Sequence, residues 1–400
     1  MKMKSVMQKS MILILSLCLT LVMLEVGMRI VKWGLDRVRS TNNQVMYEDK
    51  NPLACEIPEE CGKYDTFAEM DYNTYLGYIP RPKSSGNGYK TNSYHFRYGE
   101  DFPKEKDEDE IRIFVTGGST AWGAGVDDRD MYTSIMEELF EDEYPNQTIR
   151  VISSGVGAYG TVQERIMIEN FILQFSPDFV VMFSGWNDGY YGYFGEDILV
   201  NQDYLSYGAI LNDYEAKDTI ALPKYNDYSF KLHYLMDRAS YQIKYGSREK
   251  VEEVIKDSSL AHEQVIQTFL KNVHIVSDLS KRFEFGFIFY LQPTIYATEK
   301  KLTLQEIDLR NYNEENYVGF PEYIRDVYSI YREILPNDAK MNQYHFIDGD
   351  FAIQYEEESV FFDHVHFGDR GNRLIANHLF VELNQILSIE HNAGIQDPTE

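Results

Sequence analysis

Between residues 111 and 388 the chain alternates short, nearly unbroken apolar runs with longer stretches of helical spacing. "IRIFVT" (111–116), "IRVISS" (149–154), "DFVVMFSG" (178–185), "FGFIFYLQP" (285–293) and "YHFID" (344–348) read as five strands. "DRDMYTSIMEELFEDEYP", "TVQERIMIENFILQF", "AHEQVIQTFLKNVHIVSDLSKRF" and "RGNRLIANHLFVELNQIL" carry apolar residues at helical intervals. Strands without a polar face, separated by helices, predict a parallel sheet covered on both sides. The expected fold is therefore α/β, a doubly wound parallel five-stranded sheet. Its ligands belong at the carboxyl ends of the strands. The alternation lapses at about residues 190–260, which predicts an insertion after the third strand.

Upstream the pattern is different. "SMILILSLCLTLVML" (10–24) is an apolar run preceded by Lys2, Lys4 and Lys9. Extended through Val31 it is long enough for a helix crossing about 30 Å of hydrocarbon. No small-x-small cleavage site follows it, which favours an uncleaved anchor over a signal peptide. Residues 1–40 are thus expected to be an N-terminal membrane anchor and flank, 41–110 an irregular lead-in with short strands, and 111–390 the main domain. Within the lead-in, "KEKDEDE" (104–110) reads as a solvated linker. Basic residues on the two sides of the apolar run nearly balance, so charge does not fix the orientation. Cys55 and Cys61 are close enough in sequence to bridge, which would suit an oxidising, extracytoplasmic location for the domain.

Net charge changes the range of partners. At −26, the chain lacks the cationic surplus needed to replace counterions on nucleic acid, and no nucleic-acid partner is expected.

Four loops carry candidate chemistry. Gly117-Gly118-Ser119-Thr120 follows the first strand, where glycines permit a sharp turn and Ser119 can face the crevice. A helix N-cap is the competing reading for Ser119. "SSGVGAYGT" (153–161) follows the second strand and matches G-x-G-x-x-G at Gly155, Gly157 and Gly160. The dinucleotide fingerprint also needs an acidic residue at the end of the next strand, and Ser184 and Gly185 stand there. After the third strand, Asn187 in "FSGWNDGYYG" offers an amide donor, against the plainer reading of Asn-Asp-Gly as a turn. Before the last helix, Asp363 and His366 in "FFDHVHFGDRGN" have the spacing at which a carboxylate orients an imidazole. His364 and His366 with Asp363 could instead bind metal, yet no other ligand cluster accompanies them, or the histidines could simply pack beside Phe361, Phe362 and Phe367.

The order of these blocks resembles that of the SGNH (GDSL-type) hydrolase family, over about residues 111–190 and 344–388. The upstream anchor and "TNSYHFRYGEDFP" are similar to the segments preceding the domain in membrane-anchored members. The resemblance implies a flavodoxin-like fold and a serine esterase that needs no metal or other cofactor. It makes Ser119 the nucleophile and Asp363 and His366 its triad partners. Ser119, Ala158 and Asn187 become the oxyanion donors. Two departures stand out: Gly118 replaces the Asp of Gly-Asp-Ser, and Ala158 replaces a glycine, so an ordinary φ is expected there. Trp122 and Trp186, with Tyr190, Tyr191 and Tyr193, could offer stacking surfaces to sugar rings or could equally pack the core. The implied partner is an acylated small molecule or glycan. The expected insertion is too polar, with many Asp, Asn and Tyr residues, to form a tunnel for lipid acyl chains, so the expected reaction is removal of O-acetyl groups from a surface or exported glycan. O-acyl transfer by the same residues, or a catalytically idle glycan-binding factor tethered to the membrane, are the alternatives.

Overall fold

Strand β5 (Glu110–Gly117) lies inside the main sheet, and Ile113, Phe114 and Val115 have no exposed surface. That burial follows from parallel neighbours on both edges: β6 (Thr148–Ser153) pairs with it on one side and β7 (Phe179–Ser184) on the other. β8 (Gly286–Leu291) and β9 (His345–Asp348) continue the sheet beyond β7, giving the order β6-β5-β7-β8-β9, all parallel. Ahead of it, β1 (Met70–Asn73) and β2 (Gly77–Pro80) form an antiparallel hairpin, and β3 (Ser85–Gly86) and β4 (Tyr89–Lys90) a shorter one. The structure is a computed structural model. It describes residues 51–56, 61, 64, 68–193, 258–316 and 319–394, together with Met23. Apart from Met23, the expected anchor lies outside the described residues, as do all but the margins of the expected insertion.

The helices, in chain order, are α1 (Ser119–Trp122), α2 (Tyr132–Glu143), α3 (Thr161–Met167), α4 (Trp186–Tyr193), α5 (Ser258–Phe283), α6 (Leu304–Asn316), α7 (Phe320–Asn342) and α8 (Asp369–Gly394). α2 and α8 pack together on one face of the sheet, while α3, α5 and α7 cover the other. Alternate residues of the strands serve the two layers. Phe183 stacks between Tyr132 of α2 and Tyr290 at 5.1 and 4.9 Å, whereas Phe289 meets Phe269 of α5 edge-on. Three elements depart from the sequence pattern. α3 gives way to a π-helical turn at Ile168–Ile172 and a tight turn at Leu173–Phe175, so 161–175 is not one regular helix. α6 and α7 fill the connection between β8 and β9, which the apolar pattern leaves unassigned; Pro336 inside α7 disguises that helix. In the acidic run, Glu110 is buried and paired with Arg112 and Arg150 at 2.7 and 2.6 Å, so the run is not wholly solvated.

The strand order reverses direction between β5 and β7. A crevice therefore opens beyond their carboxyl ends, and it is there that Ser119 begins α1 and Asn187 stands in the first turn of α4.

Candidate active site

Ser119 enters α1 directly from β5 through two glycines in close quarters. A Cβ on Gly117 would lie 2.3 Å from the Phe183 carbonyl oxygen, and one on Gly118 would lie 2.3 Å from Asn187 Nδ2. The N-cap position is taken by Gly118, so Ser119 is not the cap and its hydroxyl is spare. That hydroxyl lies 2.6 Å from His366 Nε2. On the far side of the ring, Nδ1 lies 2.7 Å from Asp363 Oδ2. Asp363 Oδ1 accepts the amides of Val365 and His366 at 2.9 and 2.8 Å, which folds the loop around its own carboxylate. Burial alone would raise this carboxyl, but the facing His366 charge and its hydrogen bonds outweigh that and hold it well below the ordinary range. With Asp363 ionised, Nδ1 keeps its proton and Nε2 is left to accept from Ser119. Phe362 lies face to face with the His366 ring at 5.7 Å.

The loop bearing this pair is held from two directions. Glu306 of α6 accepts the amides of Val360 and Phe361 through Oε1, and Lys300 Nζ donates to its Oε2 at 2.8 Å, with neither side chain exposed. From the lead-in, Asn51 donates through its amide to the Phe362 carbonyl (2.9 Å) and through its side chain to that of Phe361 (3.0 Å). The Asn51 segment is closed by a disulfide between Cys55 and Cys61.

The loop after β6 supplies the other half of the crevice. Gly155 has to be glycine because a Cβ there would lie 2.4 Å from the backbone of Ala121 and Trp122, so this glycine serves packing against the Ser119 turn. Ala158 has φ 68°. This corrects the expectation of an ordinary φ: the position keeps the left-handed conformation that favours glycine, and Ala adopts it at a cost of about 1 kcal/mol. The conformation is imposed by neighbours. Tyr78 of β2 donates to the Gly157 carbonyl at 2.8 Å, Tyr191 of α4 to the Ala158 carbonyl at 2.6 Å, and Tyr159 to the Tyr78 carbonyl. Asp188, fully buried, accepts the Thr161 amide and hydroxyl at the start of α3, and burial pushes its carboxyl up to about 6. Asn187 donates to the Tyr159 carbonyl at 2.8 Å, which aims its amide group across Gly118. Among the described residues, the amides of Ser119 and Ala158 have no backbone acceptor.

The structure thus brings Ser119, Asp363 and His366 into one hydrogen-bonded line, with Asn187 and the Ala158 loop beside it. It does not bring Trp122 there. That ring is 0% exposed, edge-on to Tyr89 and beneath the Arg97 guanidinium at 5.1 Å, so it is core and offers no face to a sugar. Trp186 is 5% exposed and stacks on Tyr296 at 6.0 Å, with Phe320 edge-on, so little of its surface remains for stacking. Tyr190 is half-buried against Trp186 and Phe320. Sequence reasoning missed Asn51, Tyr78, Arg97, Asp188 and Glu306. Arg97 donates to the carbonyls of Gly88, Trp122, Gly123 and Val126 and so caps the end of the Ser119 turn.

No family model matches the chain, and no curated protein matches it. Among solved structures, an acetyl xylan esterase is 17% identical and covers 68% of this chain and 99% of its own, with a TM-score of 0.35. A catalytic mutant of an acetylxylan esterase from Geobacillus stearothermophilus is 13% identical and covers 70% and 96%, with a TM-score of 0.39. Identities and scores of this size carry no argument about activity, and the functional reading rests on the geometry of the site.

Proposed function

We propose that the protein is a serine esterase of the SGNH type that removes O-acetyl groups from a surface or exported glycan. The observation that carries this reading is the line Asp363–His366–Ser119, with hydrogen bonds of 2.7 and 2.6 Å. In this reading His366 Nε2 takes the Ser119 proton as the hydroxyl attacks the ester carbonyl. Asp363 keeps Nδ1 protonated and stabilises the imidazolium that forms. The amides of Ser119 and Ala158 and the Asn187 side chain donate to the developing oxyanion, each worth about 3 kcal/mol in the transition state. His366 then returns the proton to the departing alcohol, and water releases the acetyl group from Ser119. The apolar run at 10–31 would tether the chain to a membrane. The Cys55–Cys61 disulfide supports an oxidising, extracytoplasmic location for the site.

Acetate release from p-nitrophenyl acetate, together with the intact mass of wild type and Ser119→Ala, tests the reading. A mass gain of one acetyl group in wild type, absent from the alanine variant, is the expected result. A folded wild type that neither turns over nor gains mass would overturn it.

A further inference from the structure

We infer that His364 binds a hydroxyl on the alcohol half of the ester, next to the scissile oxygen, and so selects a carbohydrate ester over one with an apolar alcohol. The inference rests on the esterase reading and deepens it.

His364 stands between the acid and the base of the triad in sequence, and its backbone is pinned. The carbonyl accepts from the Ile295 amide and the Thr294 hydroxyl, each at 3.2 Å. Its ring packs against Trp186 at 5.4 Å and Tyr296 at 6.4 Å. Trp186 in turn lies flat on Tyr296 and directly precedes Asn187. The imidazole is therefore held by packing alone, on the side of the crevice where Trp186 begins α4. It is only partly buried. Among the described residues neither ring nitrogen has a hydrogen-bond partner, and neither is sealed from solvent, so both remain within reach of a ligand.

The chemistry of the reaction gives those nitrogens a use. With the carbonyl oxygen directed at Ala158 and Asn187, the alcohol oxygen has to face His366 Nε2 to recover its proton. The atoms attached to that oxygen then lie against the residues flanking His366. Phe362 covers the ring of His366 and has nothing to donate or accept. His364 is the polar side chain of the same loop that remains. Burial lowers its pKa, with His366 opposing its charge further and Asp363 favouring it, and the ring stays neutral. A neutral imidazole offers one donor and one acceptor, the complement of a hydroxyl group. A fixed cation would instead select a carboxylate or phosphate.

Two variants separate this role from simple packing. His364→Phe keeps the contacts with Trp186 and Tyr296 and removes both nitrogens; His364→Gln restores a donor and an acceptor without the ring. The measurement is the ratio of kcat/KM on methyl 3-O-acetylglucoside, whose C2 and C4 hydroxyls flank the ester oxygen, to kcat/KM on p-nitrophenyl acetate, whose alcohol half carries no hydroxyl. The ratio should fall at least tenfold in His364→Phe and recover in part in His364→Gln. An acyl-enzyme at Ser119 with a ratio that stays within twofold in both variants overturns the inference alone. So does an acylated wild type that ignores the sugar ester. Absence of any acyl-enzyme in wild type removes the esterase reading and this inference with it.

Discussion

Glu306 and Lys300 form an ion pair with no exposed surface, and the second oxygen of Glu306 holds the backbone of Val360 and Phe361, two residues before Asp363. A buried pair of this kind resists the loss of one member more than the loss of both. Glu306→Gln leaves the Lys300 charge unmatched and should cost about 3–5 kcal/mol of stability. Replacing both, with Lys300→Met and Glu306→Gln, should recover part of that cost. Urea unfolding of the three proteins checks it, and a single variant no less stable than wild type would contradict the buried pairing.

Asn187 is fixed by its bond to the Tyr159 carbonyl, with its other N–H left for substrate. Asn187→Ala should lower kcat by about 10²–10³ and change KM little, because the lost donor acts on charge that appears only in the transition state. Steady-state kinetics on one acetyl ester decides this; a change confined to KM would place Asn187 in ground-state binding.

Ala158 holds φ 68° against its own preference. Ala158→Gly relieves about 1 kcal/mol of backbone strain, set against a similar or smaller gain in unfolded-chain entropy. The glycine variant should therefore match or slightly exceed wild type in stability and keep its activity. Ala158→Val, β-branched at positive φ, should lose more than tenfold in kcat/KM. Thermal melts and kinetics on the pair test this, and a tolerated valine would show that the loop can move.

Mild acid should stabilise the fold. Burial pushes Glu137 from its ordinary 4.5 up to about 7, while the Val151 amide and Tyr98 hydroxyl oppose the shift. A carboxyl with a raised folded pKa binds more protons folded than unfolded, so stability falls as pH climbs from about 4.5 to 7. Asp188, pushed up to about 6, adds to the same slope. The urea midpoint of wild type should drop between pH 5 and 7. In Glu137→Gln the drop should be shallower, and an identical slope would remove Glu137 as a contributor.

Ser119, Asn187, Asp363 and His366 were legible because each follows a strand or precedes a helix, and a doubly wound sheet gathers such positions at one edge. Trp122 misled because sequence distance from Ser119 says nothing about direction. It ends the turn that Ser119 begins, and its ring is enclosed by Tyr89 and the Arg97 guanidinium of the lead-in. The conformation of Ala158 was illegible for another reason: it is imposed by Tyr78 and Tyr191, one from the lead-in and one from the helix after β7. Asn51 and Glu306 act on backbone carbonyls and amides, which leave no trace in the pattern of side chains.

Ser119 and His366 are 247 positions apart, and Asn51 reaches 310 positions to Phe361. Contacts across such separations form late, since the intervening chain has to be ordered before they gain anything. A ribosome releases Ser119 long before His366, and until the last helix docks the Ser119 hydroxyl is an ordinary alcohol. On the proposed esterase reading, truncated and half-folded chains would be silent toward esters, and the onset of activity would mark the completion of folding.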